Sequence, residues 1–466
     1  MKTSTKRLLV ISPFVALLFF FGSLLGVRAY KITTAEYASP LSEVESSALE
    51  SFLQTEYKSR NEILKPLPYH ITPTELDIAA ESAILIDTSN GNILYEKNAD
   101  EIIPPASMTK LFSMFVVDEE ISSGRLNYED KIYLPPECWA SNMMPHSSLM
   151  FLGQGQHVTV DELLQGLSVC SGNDAAYALA FAISGDMDTF ITRMNGVAQK
   201  YNLPNTHFVE SSGYSENNLT TAREMAAFSN VYIALHPESL ERYHGLQSFT
   251  YPKQKNLADG DVIRAQDFSN GLPDRITMSI TQRNTNPLLG VMDGCDGLKT
   301  GYIDESGYNL ALTAKRHGTR FLSVTMKGPG SSAKEGNEYR VKDGTTLMEW
   351  AFSSFADFDD MTRVKPYFLR TLGGKISGLN LVPAFNPKSI TVPFIEGDSA
   401  EECASLVRVV TIFPDYIEGG TEMGTVCGKI EFMLGDYILD TVPLIADRSI
   451  SSTNAITRLA DRIVYR

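Results

Sequence analysis

In the stretch Pro104-Pro105-Ala106-Ser107-Met108-Thr109-Lys110 the chain passes from an extended segment into a helix. Two adjacent prolines end the extended run, and apolar residues follow at helical spacing: Leu111, Phe112, Phe115 and Val116. A helix is therefore expected to start at about Ser107 and to stop at Gly124. Upstream, Ala83–Asp87 and Ile93–Glu96 flank Ser89-Asn90-Gly91-Asn92, a strong hairpin signal. Residues three apart share one face of a helix, so Lys110 can bring its amine to the Ser107 hydroxyl. A serine needs such a base to act as a nucleophile near neutral pH. A lysine serves if burial and the positive helix end lower its pKa. Ser-x-x-Lys is common by chance, so this pair decides nothing alone.

Two further motifs follow in order. Thr159-Val160-Asp161-Glu162 is a capping box opening a helix with Leu163, Leu164 and Leu167, and Thr221–Glu224 repeats the pattern. Where the first of these helices ends and the Ala-rich run Ala175–Ala182 begins stands Ser171-Gly172-Asn173. Such a junction points short polar side chains into a cleft, although Ser, Gly and Asn also favour plain turns and caps. Near Lys299 the period becomes strand-like. Leu298–Tyr302, Tyr308–Thr313 and Arg320–Met326 read as an antiparallel meander, with Lys299-Thr300-Gly301 on its first strand. Lys299 and Thr300 suit a terminal carboxylate, and Gly301 leaves room for a substrate backbone. Strands at both ends of a helical middle imply one α/β (α+β) domain whose sheet closes from its two ends.

Taken together the three motifs resemble those of penicilloyl serine transferases, whose set is S-x-x-K, S-D-N and K-T-G. The Ser-Gly-Asn middle motif, within Ser171–Ala176, is similar to that of D-alanyl-D-alanine carboxypeptidases among low-molecular-mass penicillin-binding proteins. Pro105–Lys110, Asp296–Tyr302, Asn205–Phe208 with Gly213, and Asn284-x-Asn286 with Leu288 fit the same family. The likeness runs from about Ala80 to Phe355. It implies a β-lactamase/transpeptidase-like catalytic domain, with an antiparallel sheet and a helical subdomain, followed by a small all-β domain. It also implies roles. Ser107 is the acylated nucleophile and Lys110 its base. Ser171 and Asn173 complete the proton path and hold the amide. Lys299 and Thr300 receive the terminal carboxylate, beside Gly301 and Tyr302 in the substrate-binding strand. The N–H groups of Ser107 and Tyr302 form the oxyanion hole. The implied partners are peptidoglycan stem peptides and β-lactams as covalent inhibitors, with no cofactor and no metal. Ser306 departs from a frequent alanine, and Cys170 reads as a small core residue. A class A β-lactamase needs a deacylating Glu in a Glu-x-x-Leu-Asn stretch, and none lies between Asn173 and Lys299. A DD-endopeptidase of the same family stays open as an alternative, as does a non-hydrolytic scaffold.

Beyond this segment the readings are coarser. The formal charge of −16, from 40 Lys+Arg against 56 Asp+Glu, and the lack of a basic patch argue against nucleic acid as a partner. Lys2, Lys6 and Arg7 precede an apolar run, Leu8–Val27, so residues 1–30 read as a signal peptide or membrane anchor of an exported protein. The remainder then lies in the periplasm or on the outer face of the cytoplasmic membrane. Residues 31–77 read as a stalk, 78–358 as the catalytic domain and 365–450 as a small β-sandwich-like domain. In that last domain, strands are expected at Ser389–Phe394, Leu406–Thr411, Thr425–Phe432 and Tyr437–Val442. In the tail, residues 451–466, Ile456, Leu459 and Ile463 share a helical face that offers a second membrane contact. Five cysteines do not make a disulfide framework, though Cys403 and Cys427 are near enough in sequence to pair.

Overall fold

The computed structural model describes residues 13–57, 64–71, 74–259, 279–387, 389–393, 402 and 405–465. The chain divides into two units. The larger comprises Glu62–Asp357 with Thr391–Cys403, and the smaller comprises Met1–Asn61, Phe358–Ile390 and Ala404–Arg466.

A six-stranded sheet forms the centre of the larger unit. Its order is β1 (Lys65–Pro66), β3 (Asn92–Lys97), β2 (Ser82–Asp87), β10 (Thr319–Gly328), β9 (Gly307–Arg316) and β8 (Cys295–Ile303). The hairpin and the meander expected from the sequence are both present. They join where β2 lies antiparallel to β10, from Ser82 opposite Met326 to Asp87 opposite Phe321. The sheet therefore closes from its two chain ends, as the alternation of patterns predicts. Both faces are covered, so β2 is buried at every residue and reads as a continuous apolar run rather than an alternating one. Ile84 and Ile86 face a cluster built from helices α3 (Lys110–Ser122), α4 (Val160–Val169), α5 (Asn173–Ser184), α6 (Met187–Lys200) and α7 (Ala222–Leu235). Ala83 and Leu85 face Leu347, Met348 and Ala351 of α8 (Ala333–Ser354). Two short ribbons, β4 (Lys131–Ile132) with β5 (Val158–Thr159) and β6 (Ser248–Tyr251) with β7 (Ile280–Arg283), border the helical side.

The Thr159 box closes with both of its bonds, to and from Glu162. The Thr221 box is only half formed. Thr221 caps Glu224 N–H, but the Glu224 carboxylate turns away to accept from Asn205 N–H at 3.0 Å and Thr206 Oγ1 at 2.6 Å. A tertiary partner has taken over the local one.

In the smaller unit a second sheet runs in the order β15 (Val407–Ile412), β17 (Val426–Leu434), β18 (Tyr437–Ala446), β13 (Gly378–Pro383), β12 (Tyr367–Leu372) and β16 (Tyr416–Glu418). Three of these strands, β12, β13 and β16, were not expected. The stretch expected as a strand at Ser389–Phe394 forms β14 (Ile390–Pro393) but pairs with β11 (Phe355–Phe358) instead of joining this sheet. Fully buried Thr391 holds it there, its hydroxyl accepting from Asn90 Nδ2 at 2.9 Å and Asn92 Nδ2 at 3.1 Å. Cys427 carries a free thiol, and Cys403 lies outside the described residues.

The stalk reading needs correction. Helix α2 (Glu43–Glu56) opens with a Ser42/Glu45 capping box and packs Leu49, Phe52 and Leu53 against Val382, Ala384 and Ile445. The many Glu residues of this run hid an apolar face at i, i+3 and i+4 spacing. Further on, β1 extends the central sheet. Ahead of α2, helix α1 (Pro13–Thr34) is long and apolar enough over Val15–Thr34 to cross a membrane. The C-terminal helix α9 (Ala455–Tyr465) leaves Ile456, Leu459 and Ile463 exposed, on one face as expected.

Phe112 is the packing centre beneath the Ser107 turn. It is fully buried, stacks on Phe228 at 3.5 Å and meets Phe208 at 4.6 Å between ring centroids. Phe112→Ala is expected to destabilise the protein by about 3–5 kcal/mol. Urea unfolding followed by tryptophan fluorescence measures it, and a loss below about 1 kcal/mol contradicts this placement of the core.

Candidate active site

Ser107 sits in a 3-10 turn, Ala106–Thr109, that runs into α3. The helix expected to start at Ser107 thus begins as a tighter turn. Two backbones press on this turn and explain it. A Cβ on Gly213 would stand 1.8 Å from the Ala106 oxygen, and one on Gly301 would stand 2.4 Å from the Pro105 oxygen. Ala106 has φ 48°, a left-handed conformation that costs a non-glycine residue about 1–3 kcal/mol. Such strain persists only where the surroundings enforce it, and here the Gly213 loop and strand β8 do so.

Lys110 lies one turn on and is fully buried. Its Nζ is 2.9 Å from Ser107 Oγ, 2.8 Å from Asn173 Oδ1 and 2.5 Å from the Ser212 carbonyl oxygen. The last two partners can only accept. A neutral amine has two N–H donors and one lone pair, so those acceptors use both donors and leave the lone pair facing the Ser107 O–H. Burial pulls the Lys110 ammonium down to about 7, while the charges of Glu210 and Asp174 work in the opposite direction. Glu210 also shapes the neighbouring loop, accepting from the N–H groups of Ser212 at 2.7 Å and Gly213 at 2.5 Å.

Ser171 occupies the bend between α4 and α5 with φ 57°, a second strained non-glycine position, and Asn173 is the first residue of α5. The next residue, Asp174, is buried and pins a loop from below, accepting from Met150 N–H at 2.9 Å and Leu152 N–H at 3.0 Å. Burial raises its carboxyl, and these backbone N–H groups oppose the rise.

The third motif lies on β8 as expected. Lys299 Nζ donates to Ser171 Oγ at 3.0 Å and to the Thr300 carbonyl oxygen at 3.1 Å. It too is buried, and burial holds its ammonium well below its ordinary value, with the Lys110 and Arg340 charges acting in the same direction. Thr300 Oγ1 donates to Thr285 Oγ1 at 2.7 Å. Tyr302 is partly exposed and stacks on Tyr308 with 4.3 Å between centroids. Ser107, Ser148, Asn173, Gly213 and Tyr302 line an open cleft of about 810 Å³. The structure thus brings Ser107, Lys110, Ser171, Asn173, Lys299, Thr300, Gly301 and Tyr302 to one place.

Several contributors escaped the sequence reading. The Ser212 carbonyl and Thr285 act through groups that carry no motif, though both adjoin residues that did (Gly213, Asn284 and Asn286). Arg340 supports β8 from α8, its guanidinium donating to the Gly301 oxygen at 2.5 Å and the Asn309 oxygen at 3.1 Å. A buried polar chain also reaches β8. Asp118 Oδ2 lies 3.3 Å from Tyr232 Oη, which lies 3.1 Å from His244 Nε2, and His244 Nδ1 lies 3.1 Å from the Leu298 oxygen. Burial raises the Asp118 carboxyl to about 7 and lowers the His244 imidazolium to about 4, so His244 is neutral near pH 7. A neutral ring must then donate from Nδ1 to Leu298 and accept at Nε2. Of the two departures noted in the sequence, Ser306 is buried and bonds the Ile303 and Gly307 backbone, and Cys170 is buried with its thiol raised to about 12.

Comparison with known proteins identifies the family. The family model described as D-alanyl-D-alanine carboxypeptidase matches residues 69–330. The chain is 29% identical over 397 residues to D-alanyl-D-alanine carboxypeptidase DacC of Escherichia coli (strain K12), covering 84% of this chain and 88% of that protein. It is 28% identical over 388 residues to DacF of Bacillus subtilis (strain 168), covering 83% and 90%. Among solved structures, penicillin binding protein 5 from Haemophilus influenzae superposes with a TM-score of 0.67 at 28% identity, over 82% of this chain and 100% of that one. Penicillin binding protein 6B from Escherichia coli gives 0.60 at 26% identity, over 82% and 100%. The chain belongs to the D-alanyl-D-alanine carboxypeptidase family of low-molecular-mass penicillin-binding proteins.

Proposed function

We propose that this protein is a serine-type D-Ala-D-Ala carboxypeptidase that trims the terminal D-alanine from peptidoglycan stem peptides through an acyl-enzyme on Ser107. The observation that carries the reading is a pair of buried amines, Lys110 at 2.9 Å from the Ser107 hydroxyl and Lys299, on the Thr300 strand, at 3.0 Å from Ser171 Oγ. Ser107 Oγ attacks the carbonyl of the penultimate residue while Lys110 takes its proton. The oxyanion sits on the N–H groups of Ser107 and Tyr302, whose strand is pressed against the Ser107 turn at Gly301. On collapse the C–N bond breaks, Ser171 passes its proton to the departing amine of D-alanine, and the proton held by Lys110 replaces it, so that Lys110 is neutral again. Water then attacks the ester, again with Lys110 as base, and frees Ser107.

Lys299 links recognition to chemistry. Empty, it is a desolvated amine near a second amine, and its charge is disfavoured. A substrate carboxylate favours that charge by pairing with it. β-Lactams, which carry a carboxylate beside a reactive carbonyl, present the same two features to the cleft.

Two predictions follow from the amines. Lys110 is active when neutral, so acylation by a penicillin should rise with pH through about 7 and level off above it. Since the Glu210 charge opposes the lowering, Glu210→Gln should move this acid limb to lower pH. Stopped-flow acylation across pH 5–9 measures both, and an unmoved limb assigns the titration to another group. The second concerns the carboxylate. Amidating the terminal D-alanine should reduce kcat/KM by about 10- to 100-fold, the worth of a charge-assisted hydrogen bond, and Lys299→Ala should erase the difference. Equal turnover of both peptides, with cleavage of purified cross-linked muropeptides detected by mass, would favour the endopeptidase instead.

A further inference from the structure

The helix that carries Lys110 and the strand that carries Lys299 are joined by buried polar side chains. Asp118 stands two turns beyond Lys110 on α3, and Tyr232 lies on α7. His244 ends the turn Leu240–His244, which presses on β8 so closely that a Cβ on Gly297 would stand 3.1 Å from the His244 Cβ. Tyr232 and His244 are fully buried and Asp118 is 3% exposed. The links are Asp118 Oδ2 to Tyr232 Oη at 3.3 Å, Tyr232 Oη to His244 Nε2 at 3.1 Å, and His244 Nδ1 to the Leu298 oxygen at 3.1 Å. Ser168 Oγ stands 3.2 Å from the same Nδ1.

Counting protons gives this chain a direction. The Leu298 oxygen can only accept, so the hydrogen of that bond belongs to His244 Nδ1. A neutral imidazole then offers a lone pair at Nε2, and the Tyr232 O–H must point at it. Tyr232 has one proton, so none remains for Asp118. Their contact is then a hydrogen bond only if the Asp118 carboxyl carries a proton and donates it. In the reverse arrangement Ser168 donates to Nδ1, Nε2–H donates to Tyr232 and Tyr232 donates to a carboxylate. That turns the Leu298 oxygen towards a lone pair and buries a full negative charge, both of which are costly. A His244 imidazolium with an Asp118 carboxylate would bury two charges and set a cation beside Lys299. The surroundings favour the uncharged chain. Burial raises the Asp118 carboxyl, and the Glu238 and Glu119 charges act in the same direction. The opposing influences are the Tyr232 O–H, which is committed to His244, and Arg242, which is paired with Asp161. Burial lowers the His244 imidazolium and the Lys299 charge lowers it further, against the bond to Leu298.

We propose that Asp118 is a protonated carboxylic acid in the folded protein and, through Tyr232 and His244, a positioning residue for Lys299. The Leu298 C=O and the Lys299 N–H share one peptide plane, so the bond from His244 fixes the backbone from which the Lys299 side chain leaves. An uncharged His244 also adds no cation beside Lys299, whose ammonium burial already disfavours. Because the acid sits on the helix of Lys110, the chain ties the base to the amine across the cleft. The consequence for binding rests on the reading of Lys299 as the carboxylate site.

The protonation can be read without an assay of function. The infrared difference spectrum of the wild type against Asp118→Asn, near neutral pH, should show the carbonyl stretch of a protonated carboxyl in the wild type. The ring nitrogen resonances of His244 should report a protonated Nδ1 and a bare Nε2. A carboxylate band in the difference spectrum, or a ring protonated at Nε2, overturns the proposal. Positioning is read by stopped-flow acylation with a penicillin and with its methyl ester, which lacks the carboxylate. Tyr232→Phe leaves Nε2 without a donor and should slow acylation by the acid about tenfold, the effect of one hydrogen bond, and by the ester less than about twofold. Asp118→Leu should do the same, whereas Asp118→Asn, whose amide N–H still donates to Tyr232, should keep both rates within about twofold. Equal slowing of acid and ester, or a loss in Asp118→Asn as large as in Asp118→Leu, overturns the positioning role. Neither readout requires cleavage of D-Ala-D-Ala peptides, so failure of the carboxypeptidase reading would show separately.

Discussion

Two lysine side chains buried in one cleft constrain everything around them. Neither Lys110 nor Lys299 forms a salt bridge with a carboxylate among the described residues, so each is held by neutral acceptors. Desolvation of an amine is costly, and a protein that keeps two such groups must satisfy them by hydrogen bonds from fixed positions. The Ser212 carbonyl, Asn173 Oδ1 and Ser171 Oγ supply those bonds. They come from two parts of the fold: the Gly213 loop and the Ser171-Gly172-Asn173 junction at the start of α5. The strained φ angles of Ala106 and Ser171 are local consequences of bringing these parts together.

The sheet supports this arrangement from below. Pairing of β2 with β10 brings the two ends of the larger unit together and so sets β8 beside the Ser107 turn. Gly301 and Gly213 mark the closest approaches, where any side chain would collide with the backbone before Ser107. Arg340 and the Asp118–Tyr232–His244 chain hold β8 from opposite faces through carbonyl oxygens of Gly301 and Leu298. These supports act on main-chain atoms, so they fix the strand's position without entering the cleft.

Much of this was legible in the sequence, for identifiable reasons. The hairpin, the meander and the three motifs rest on local periodicity and on residue types with narrow uses, and they stand where expected. What was missed depends on partners distant in the chain. Glu224 looked like a capping-box residue but bonds Asn205 and Thr206. The run after Ser389 had strand character but leaves the second sheet because Thr391 is held by Asn90 and Asn92. The packed apolar face of α2 was hidden by its Glu residues, and β12 and β13 by the glycines between them. Arg340 and His244 carry no motif because their roles are defined by carbonyl groups, which every residue has.

The account turns on Ser107 as the group that becomes acylated, with its turn and Lys110 built for that purpose. The most direct measurement is intact and peptide-level mass spectrometry after brief exposure to a penicillin. One adduct per chain is predicted, on the tryptic peptide that contains Ser107, and it should be absent from a folded Ser107→Ala variant. An adduct on another residue, or one that persists in Ser107→Ala, would contradict the account.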